Sequence, residues 1–574
     1  MVLAYKQEQI TLLESQIELY DDRLNQVDKW YDKRDWDRTE QWIVHERDCE
    51  FTYAGLRQVI DKYLVQDRST GEVYETPQFM YMLIAATVFH KYPKETRLTY
   101  IKKYYRAISK HLINIPTPVM AGVRTPQKQF SSCVLIETDD SLDSINATAA
   151  SIVKYVSQRA GIGIGAGRIR ALGAPIRKGD AFHTGVTPFY KLFQSATRSC
   201  SQGGVRNGAA TLYYPIWHYE IEDLLVLKNN KGTEDNRVRQ MDYGVQFNKL
   251  MYERLITNGD ITVFSPHDVP EMYEAFFNDQ DKLKELYERA ERNTKLRKKT
   301  YKAADLFSRF MQERKDTGRI YLQNVDHANT HSPFDEKIAP VKMSNLCAEI
   351  DLPTVPLNDV NDEDGRIALC TLSAINWGNV KSPHDFEKMC KLAVRGLDAL
   401  LSYQGYPIKA ARKATEEFRP LGIGIINFAY FLAKNDVSYS DPEALPLVDE
   451  YAEAWSYYLI KASADLAEEQ GACTRWNDLK SAQGRLPIDT YKQDVDELVK
   501  HQERMPWNDL RAQIKRTGQR NATLMALMPA ETSAQISNAT NGIEPPRSFV
   551  SIKGSKHGQL KQVVPEYRRL KNRY

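Results

Sequence analysis

Cysteine is scarce in this chain, and what there is suits neither of its commonest structural uses. The seven cysteines, at 49, 133, 200, 347, 370, 390 and 473, are odd in number, form no CxxC pair and have no histidine cluster beside them. That pattern argues against a disulfide framework and gives no zinc spacing, so no metal site is expected. Charge of one sign is also lacking. The 78 Lys and Arg against 75 Asp and Glu leave a net charge of +3 over 574 residues, which predicts no nucleic-acid partner. Long apolar runs are missing too: those near 79–89 and 421–433 fall short of the roughly 20 residues of a membrane helix, so no membrane partner is expected. No cationic segment leads into an apolar core at the N-terminus. A secretory signal is therefore not seen, and the expected location is cytoplasmic.

What is present is globular. A composition of 42% hydrophobic and 27% charged residues is ordinary for a folded protein, and 574 residues exceed what one core holds. Ile10, Leu13, Ile17, Leu24 and Val27 recur at helical spacing. Thr76-Pro77 predicts a helix start, followed by Phe79, Met82, Leu83, Ala86 and Phe89 on one face. Another helix is predicted over 96–111, and no strand pattern comes before about 115, so residues 1–114 read as a helical N-terminal domain. Beyond it, strands predicted at 133–136, 244–247, 261–264, 318–322, 367–372, 421–426 and 523–527 alternate with helices such as 141–160, 301–315, 385–401 and 447–470. That alternation predicts parallel α/β architecture in the form of a barrel. The charge run 290–302 reads as a solvated helix face or loop.

Four segments could carry chemistry. Ser344-Asn-Leu-Cys-Ala-Glu-Ile350 sets an amide, a thiol and a carboxyl at alternate positions, which in an extended strand share one face. That edge could carry radical or acid–base chemistry, but read alone it fits better a half-buried strand with a buried thiol. The segment 161–167 contains a G-x-G-x-x-A but follows a helix, so the dinucleotide-binding context is absent; it reads as a flexible loop open to a phosphate, with Arg168 and Arg170 behind. The segment 201–208 has the same character around Arg206. Pro529-Ala-Glu-Thr-Ser533 follows a predicted strand and opens a helix, where Thr532 and Ser533 offer either an anion site or a simple cap.

Longer motifs point to a family. Phe130-Ser-Ser-Cys-Val-Leu135, Tyr155-Val-Ser-Gln-Arg-Ala-Gly161, Ser199-Cys-Ser-Gln-Gly-Gly204, Ser344-Asn-Leu-Cys347, Ile367-Ala-Leu-Cys-Thr-Leu372 and Gln535-Ile-Ser-Asn-Ala-Thr-Asn-Gly-Ile-Glu-Pro-Pro546 resemble the catalytic large (alpha) subunit of aerobic class I ribonucleotide reductases, from about residue 50 to 567. The resemblance implies a ten-stranded α/β barrel of two five-stranded halves within 115–574, with a central finger loop near 340–350 that carries Cys347 at its tip. It implies reduction of ribonucleoside diphosphates to 2′-deoxyribonucleoside diphosphates. Cys347 matches the thiyl-radical residue, Glu349 the general base, Asn345 its hydrogen-bonding neighbour, and Cys133 with Cys370 the reducing pair that ends as a disulfide. Thr117, Ser132, Thr532 and Ser533 match substrate-holding positions, although the family often has Ser where this chain has Ala530. Asp140, Ser157 and Arg170 match an effector site at a dimer interface. Gly167, Gln202 and Arg206 lie in the loops that pass the effector signal on. Cys49, Cys200, Cys390 and Cys473 match no catalytic position.

The same resemblance implies no directly bound cofactor. It implies nucleoside triphosphate effectors (ATP, dATP, dTTP, dGTP), a radical from a metal-containing small (beta) subunit, and thioredoxin or glutaredoxin as reductant. It implies a homodimer. Nothing resembles the family's N-terminal ATP cone, and the match stops at Val563-Val-Pro-Glu-Tyr567, short of the usual last barrel strand, adjacent tyrosines and tail cysteines. The barrel is therefore expected to be incomplete at its C-terminal end, and a C-terminal large-subunit fragment is an expected partner. The competing reading is an inactive nucleotide-binding remnant of a disrupted gene.

Overall fold

The computed structural model describes residues 27–67, 69–200, 208–491, 493–499, 502–555 and 558–574. The helical spacing at Ile10, Leu13, Ile17 and Leu24 lies outside these residues, as do Gln202 and Arg206 of the second glycine-rich segment. Thr76 stays extended, its hydroxyl accepts the N–H of Phe79 at 3.3 Å, and Pro77 fills the first turn of the helix Pro77–Phe89. Tyr105 on the next helix, Lys94–Ser109, donates to Gln78 Oε1 at 2.9 Å, so even the polar side of Pro77–Phe89 is covered. Met80, Phe89 and Tyr104 from these helices share one apolar core with Trp377, Leu397 and Leu459. The helical region is thereby packed directly onto the later half of the α/β region.

That region is built on one curled sheet of eight strands: β1 (Ile113–Asn114), β2 (Cys133–Glu137), β3 (Gly161–Gly165), β4 (Ala210–Pro215), β5 (Asp242–Phe247), β6 (Ile320–Asn324), β7 (Ala368–Asn376) and β8 (Leu421–Ile426). β2 through β6 run parallel in sequence order. β7 is antiparallel to β2 at one end and to β1 at the other, with β8 parallel along its opposite edge. Two oppositely directed halves thus form the wall of an α/β barrel after a helical domain. Residues paired in register point to the same face, so Cys133, Gly161, Gly163, Thr211, Tyr213, Gly244, Tyr321 and Cys370 share the inner side.

Several expectations need correction. Segment 161–167 is not a flexible loop up to Gly165; it is the central strand β3, buried from Ile162 onward. Glycine is a poor strand former because it has no side chain to pack, and here another segment occupies the space instead: a Cβ on Gly161 would lie 2.7 Å from Leu346, one on Gly163 2.8 Å from Asn345 Cα, and one on Gly165 2.7 Å from Met343 Sδ. Strand β4 has no counterpart among the predicted strands. The predicted strand 261–264 forms as Asp260–Phe264, but in a separate antiparallel pair with Lys298–Lys302, so the end of the charge run is neither helix nor loop. Segment 523–527 makes a single parallel bridge, Met525 to Ile423, rather than a strand. Among the described residues no helix is long and apolar enough to cross a membrane.

Candidate active site

Ser344–Ile350 departs from the extended strand that its alternation suggests. Ser344 bridges Asp351 across a narrow stem, and the Ser344 hydroxyl donates to the carbonyl of Ile350 at 2.8 Å. Between them the chain turns: the Ala348 N–H reaches the Asn345 carbonyl at 3.4 Å, and Ala348 adopts a left-handed φ of 62°. An all-extended segment would have put Asn345, Cys347 and Glu349 on one flat face. The turn instead wraps two of them around a third residue from the barrel wall.

That residue is Cys133, at the start of β2. Asn345 Nδ2 lies 3.1 Å from its sulfur, and the thiol lies 3.8 Å from Glu349 Oε1, which accepts from it. The other end of the same amide accepts the N–H groups of Glu349 at 3.0 Å and Ile350 at 3.1 Å. Asn345 is fully buried, so one side chain both staples the loop and touches the thiol. Cys370 stands directly across from Cys133 in the antiparallel β7–β2 pairing. Directly opposed residues in such a ladder have Cα atoms about 4.5–5.5 Å apart, within the range a disulfide spans. Cys347 is half-buried at the turn.

Burial sets the protonation of this group. It pushes the Cys133 thiol well above its ordinary value, with the Glu349 and Cys370 charges adding to the rise. Burial and Glu349 do the same to Cys370. Both sulfurs are held as neutral thiols. Glu349 is also raised by burial, against the opposing hydrogen bonds from Asn345, and its Oε2 is buried with no partner among the described residues. Asp351, at the stem, is pushed up to about 7 by burial, and Tyr321 on β6 up to about 12 by burial and then by Cys347. A cluster of neutral thiols beside a basic carboxyl can supply hydrogen, protons and two electrons in one small space. No group of three His, Cys, Asp or Glu side chains among the described residues could hold a metal ion.

The other expected residues do not all lie together. Thr117 opens the short helix Thr117–Gly122 and its hydroxyl lies 3.0 Å from that of Tyr63. Ser132 precedes Cys133 and its carbonyl accepts from Gly161 N at 2.9 Å. Thr532 and Ser533 lie in the first turn of Glu531–Ile536, where Asn114 Nδ2 holds the Ser533 carbonyl at 2.9 Å. Farther out, Arg170 Nε pairs with Asp140 at 2.9 Å, and His267 Nδ1 reaches the same carboxylate at 3.1 Å. Ser157 is not beside them. It caps the far end of the 15-residue helix Leu142–Val156 that starts near Asp140, about 22 Å away at 1.5 Å per residue. Gly167 sits in the buried turn after β3, packed on Pro215. Sequence reasoning missed Thr211, Tyr213, Asp351 and His267; only the strand register and the loop's path bring them to these sites.

Comparison with known proteins follows the same lines. Residues 131–574 match the family described as ribonucleotide reductase, barrel domain, and residues 49–128 the one described as ribonucleotide reductase, all-alpha domain. The chain is 62% identical over 544 residues to the ribonucleoside-diphosphate reductase subunit alpha of Haemophilus influenzae, covering 95% of this chain and 72% of that protein. It is 61% identical to the ribonucleoside-diphosphate reductase 1 subunit alpha of Escherichia coli K12, with the same coverage. Against the subunit alpha of Enterobacteria phage T4 it is 52% identical, covering 92% of this chain and 69% of the relative.

Proposed function

This chain belongs to the ribonucleotide reductase large-subunit family, and from that premise we propose that it reduces ribonucleoside diphosphates to 2′-deoxyribonucleoside diphosphates by way of a thiyl radical on Cys347. The observation that carries the proposal is the packing of Asn345 and Glu349 around Cys133, with Cys370 opposite in register. In this reading the Cys347 radical takes the hydrogen atom from the ribose 3′ carbon and Glu349 takes the proton of the 3′ hydroxyl. The 2′ hydroxyl leaves as water. Cys133 and Cys370 deliver two protons and two electrons as their sulfurs join, and Cys347 then returns the hydrogen atom to the 3′ carbon. The net change is one diphosphate and two thiols to one deoxy-diphosphate, one disulfide and one water. Buried, neutral thiols suit this role because they bring the protons as well as the electrons.

Thr117, Ser132, Thr532 and Ser533 hold the substrate in this reading, and Asp140, Ser157 and Arg170 hold a nucleoside triphosphate. Ser157 caps the end of one helix and Asp140 lies just before Ser141, which caps its start, so an antiparallel pairing of that helix with its copy would join them. That favours the homodimer. The relatives' names, subunit alpha, favour a separate beta subunit as radical source. Among the described residues β6 pairs on one side only, with β5, and a strand from a C-terminal large-subunit fragment would satisfy the other side. Thioredoxin or glutaredoxin would reopen the disulfide, in the cytoplasm. Intact convergence of the thiol pair, amide and carboxyl weighs against a dead remnant. The test is deoxynucleotide formation by the chain with small subunit, C-terminal fragment and reductant. Cys347→Ser should bind nucleotide normally and form no product; appreciable product from that variant would overturn the assignment.

A further inference from the structure

The two carbonyls that precede Cys347 are held by the barrel wall. Tyr213 Oη donates to the carbonyl of Asn345 at 2.5 Å, and Thr211 Oγ1 to that of Leu346 at 2.6 Å. Both donors are inner-face residues of β4, in register with Gly165 and Gly163 of β3. The turn's own closing bond is weaker: Ala348 N reaches the same Asn345 carbonyl only at 3.4 Å. Tyr213 is itself fixed, 1% exposed, with its ring across Gly244 of β5, where any Cβ would collide with it. Its hydroxyl stays protonated, since burial and then the Asp351 charge push it up.

We infer that Tyr213 and Thr211 are positioning residues that hold the tip of the finger loop against β4, and so fix the reach of Cys347 toward the ribose. The inference rests on the reading of Cys347 as radical carrier, but its structural half can be measured without turnover. The wall meets the tip in two ways: β3 contributes only glycine, so contact there is close and non-directional, while the two hydroxyls supply direction. Losing either bond frees a backbone carbonyl within two residues of Cys347 and leaves the thiol and the nucleotide sites in place.

The experiment compares iodoacetamide modification of Cys347 in the full chain, by peptide mass spectrometry, with Cys49, which is exposed, as internal reference. Tyr213→Phe and Thr211→Val should each raise the Cys347 rate relative to Cys49 by about tenfold, the scale of one lost hydrogen bond. Tyr214→Phe is the control, because Tyr214 is the next residue on β4 and donates outward to the Leu224 carbonyl at 3.1 Å; it should leave the rate unchanged. In the assembled enzyme Tyr213→Phe should lower kcat by about tenfold or more and leave KM within about twofold. Wild-type Cys347 rates in both Tyr213→Phe and Thr211→Val would overturn the inference, as would an equal rise in Tyr214→Phe. Product formation by Cys347→Ser would instead overturn the function and leave the alkylation result standing.

Discussion

Adding one methyl group to β3 is expected to silence the enzyme while leaving it folded. In Gly163→Ala the new Cβ would lie 2.8 Å from Asn345 Cα and closer still to the Ser344 carbonyl oxygen, whereas ordinary contact begins at 3.4 Å. Asn345 must therefore retreat by about 0.6 Å and Ser344 by more. Both are backbone atoms of a loop that is already stapled, so the displacement passes to Cys347 two residues on. The stability change is the smaller effect. Overpacking costs about 1–3 kcal/mol, and replacing glycine offsets about 0.4–1 kcal/mol of it through the unfolded chain. The rate is far more sensitive, since a misplacement near 1 Å costs about a hundredfold. The assay is product formation by the assembled enzyme, with nucleotide binding and a urea unfolding curve on the same preparation. Activity should fall about tenfold to a hundredfold, with binding kept and the unfolding midpoint only slightly lower. A variant with wild-type turnover would refute the claim that the glycine face of β3 sets the loop.

Two further outcomes follow from the same geometry. Asn345→Ala strips the acceptor from the N–H groups of Glu349 and Ile350 and should cost about 1–3 kcal/mol for each buried group left unpaired; an unfolding curve superimposable on wild type would exclude the staple. Asp351 is raised from 3.8 to about 7 in the folded chain, so its contribution to stability is fully present below pH 3.8 and is lost as the pH rises to about 7. Asp351→Asn should therefore lose less stability than wild type between about pH 5 and pH 8, read as urea midpoints at the two values; parallel losses would show that the carboxyl is not held protonated.

Local sequence determined much of this protein. Thr76-Pro77 is a capped helix start whatever surrounds it, because the cap needs only neighbours three residues apart. The strands at Cys133, Ala368 and Leu421 are legible because apolar residues with β-branched neighbours fit a buried pleat. Long motifs around Cys133, Cys347 and Cys370 suffice for the family resemblance, and with it the chemistry. What only the tertiary structure decided is where chain segments far apart meet. Strand β3 reads as a loop because its glycines leave space for Met343–Leu346, a partner some 180 residues away that local propensity cannot register. The alternation of Asn345, Cys347 and Glu349 suggested one face, and the left-handed turn at Ala348 gave another arrangement, fixed by the wall of β4. Thr211 and Tyr213 carry no local signal at all. Their role comes from strand register, which depends on long-range pairing and on which face the folded barrel turns inward.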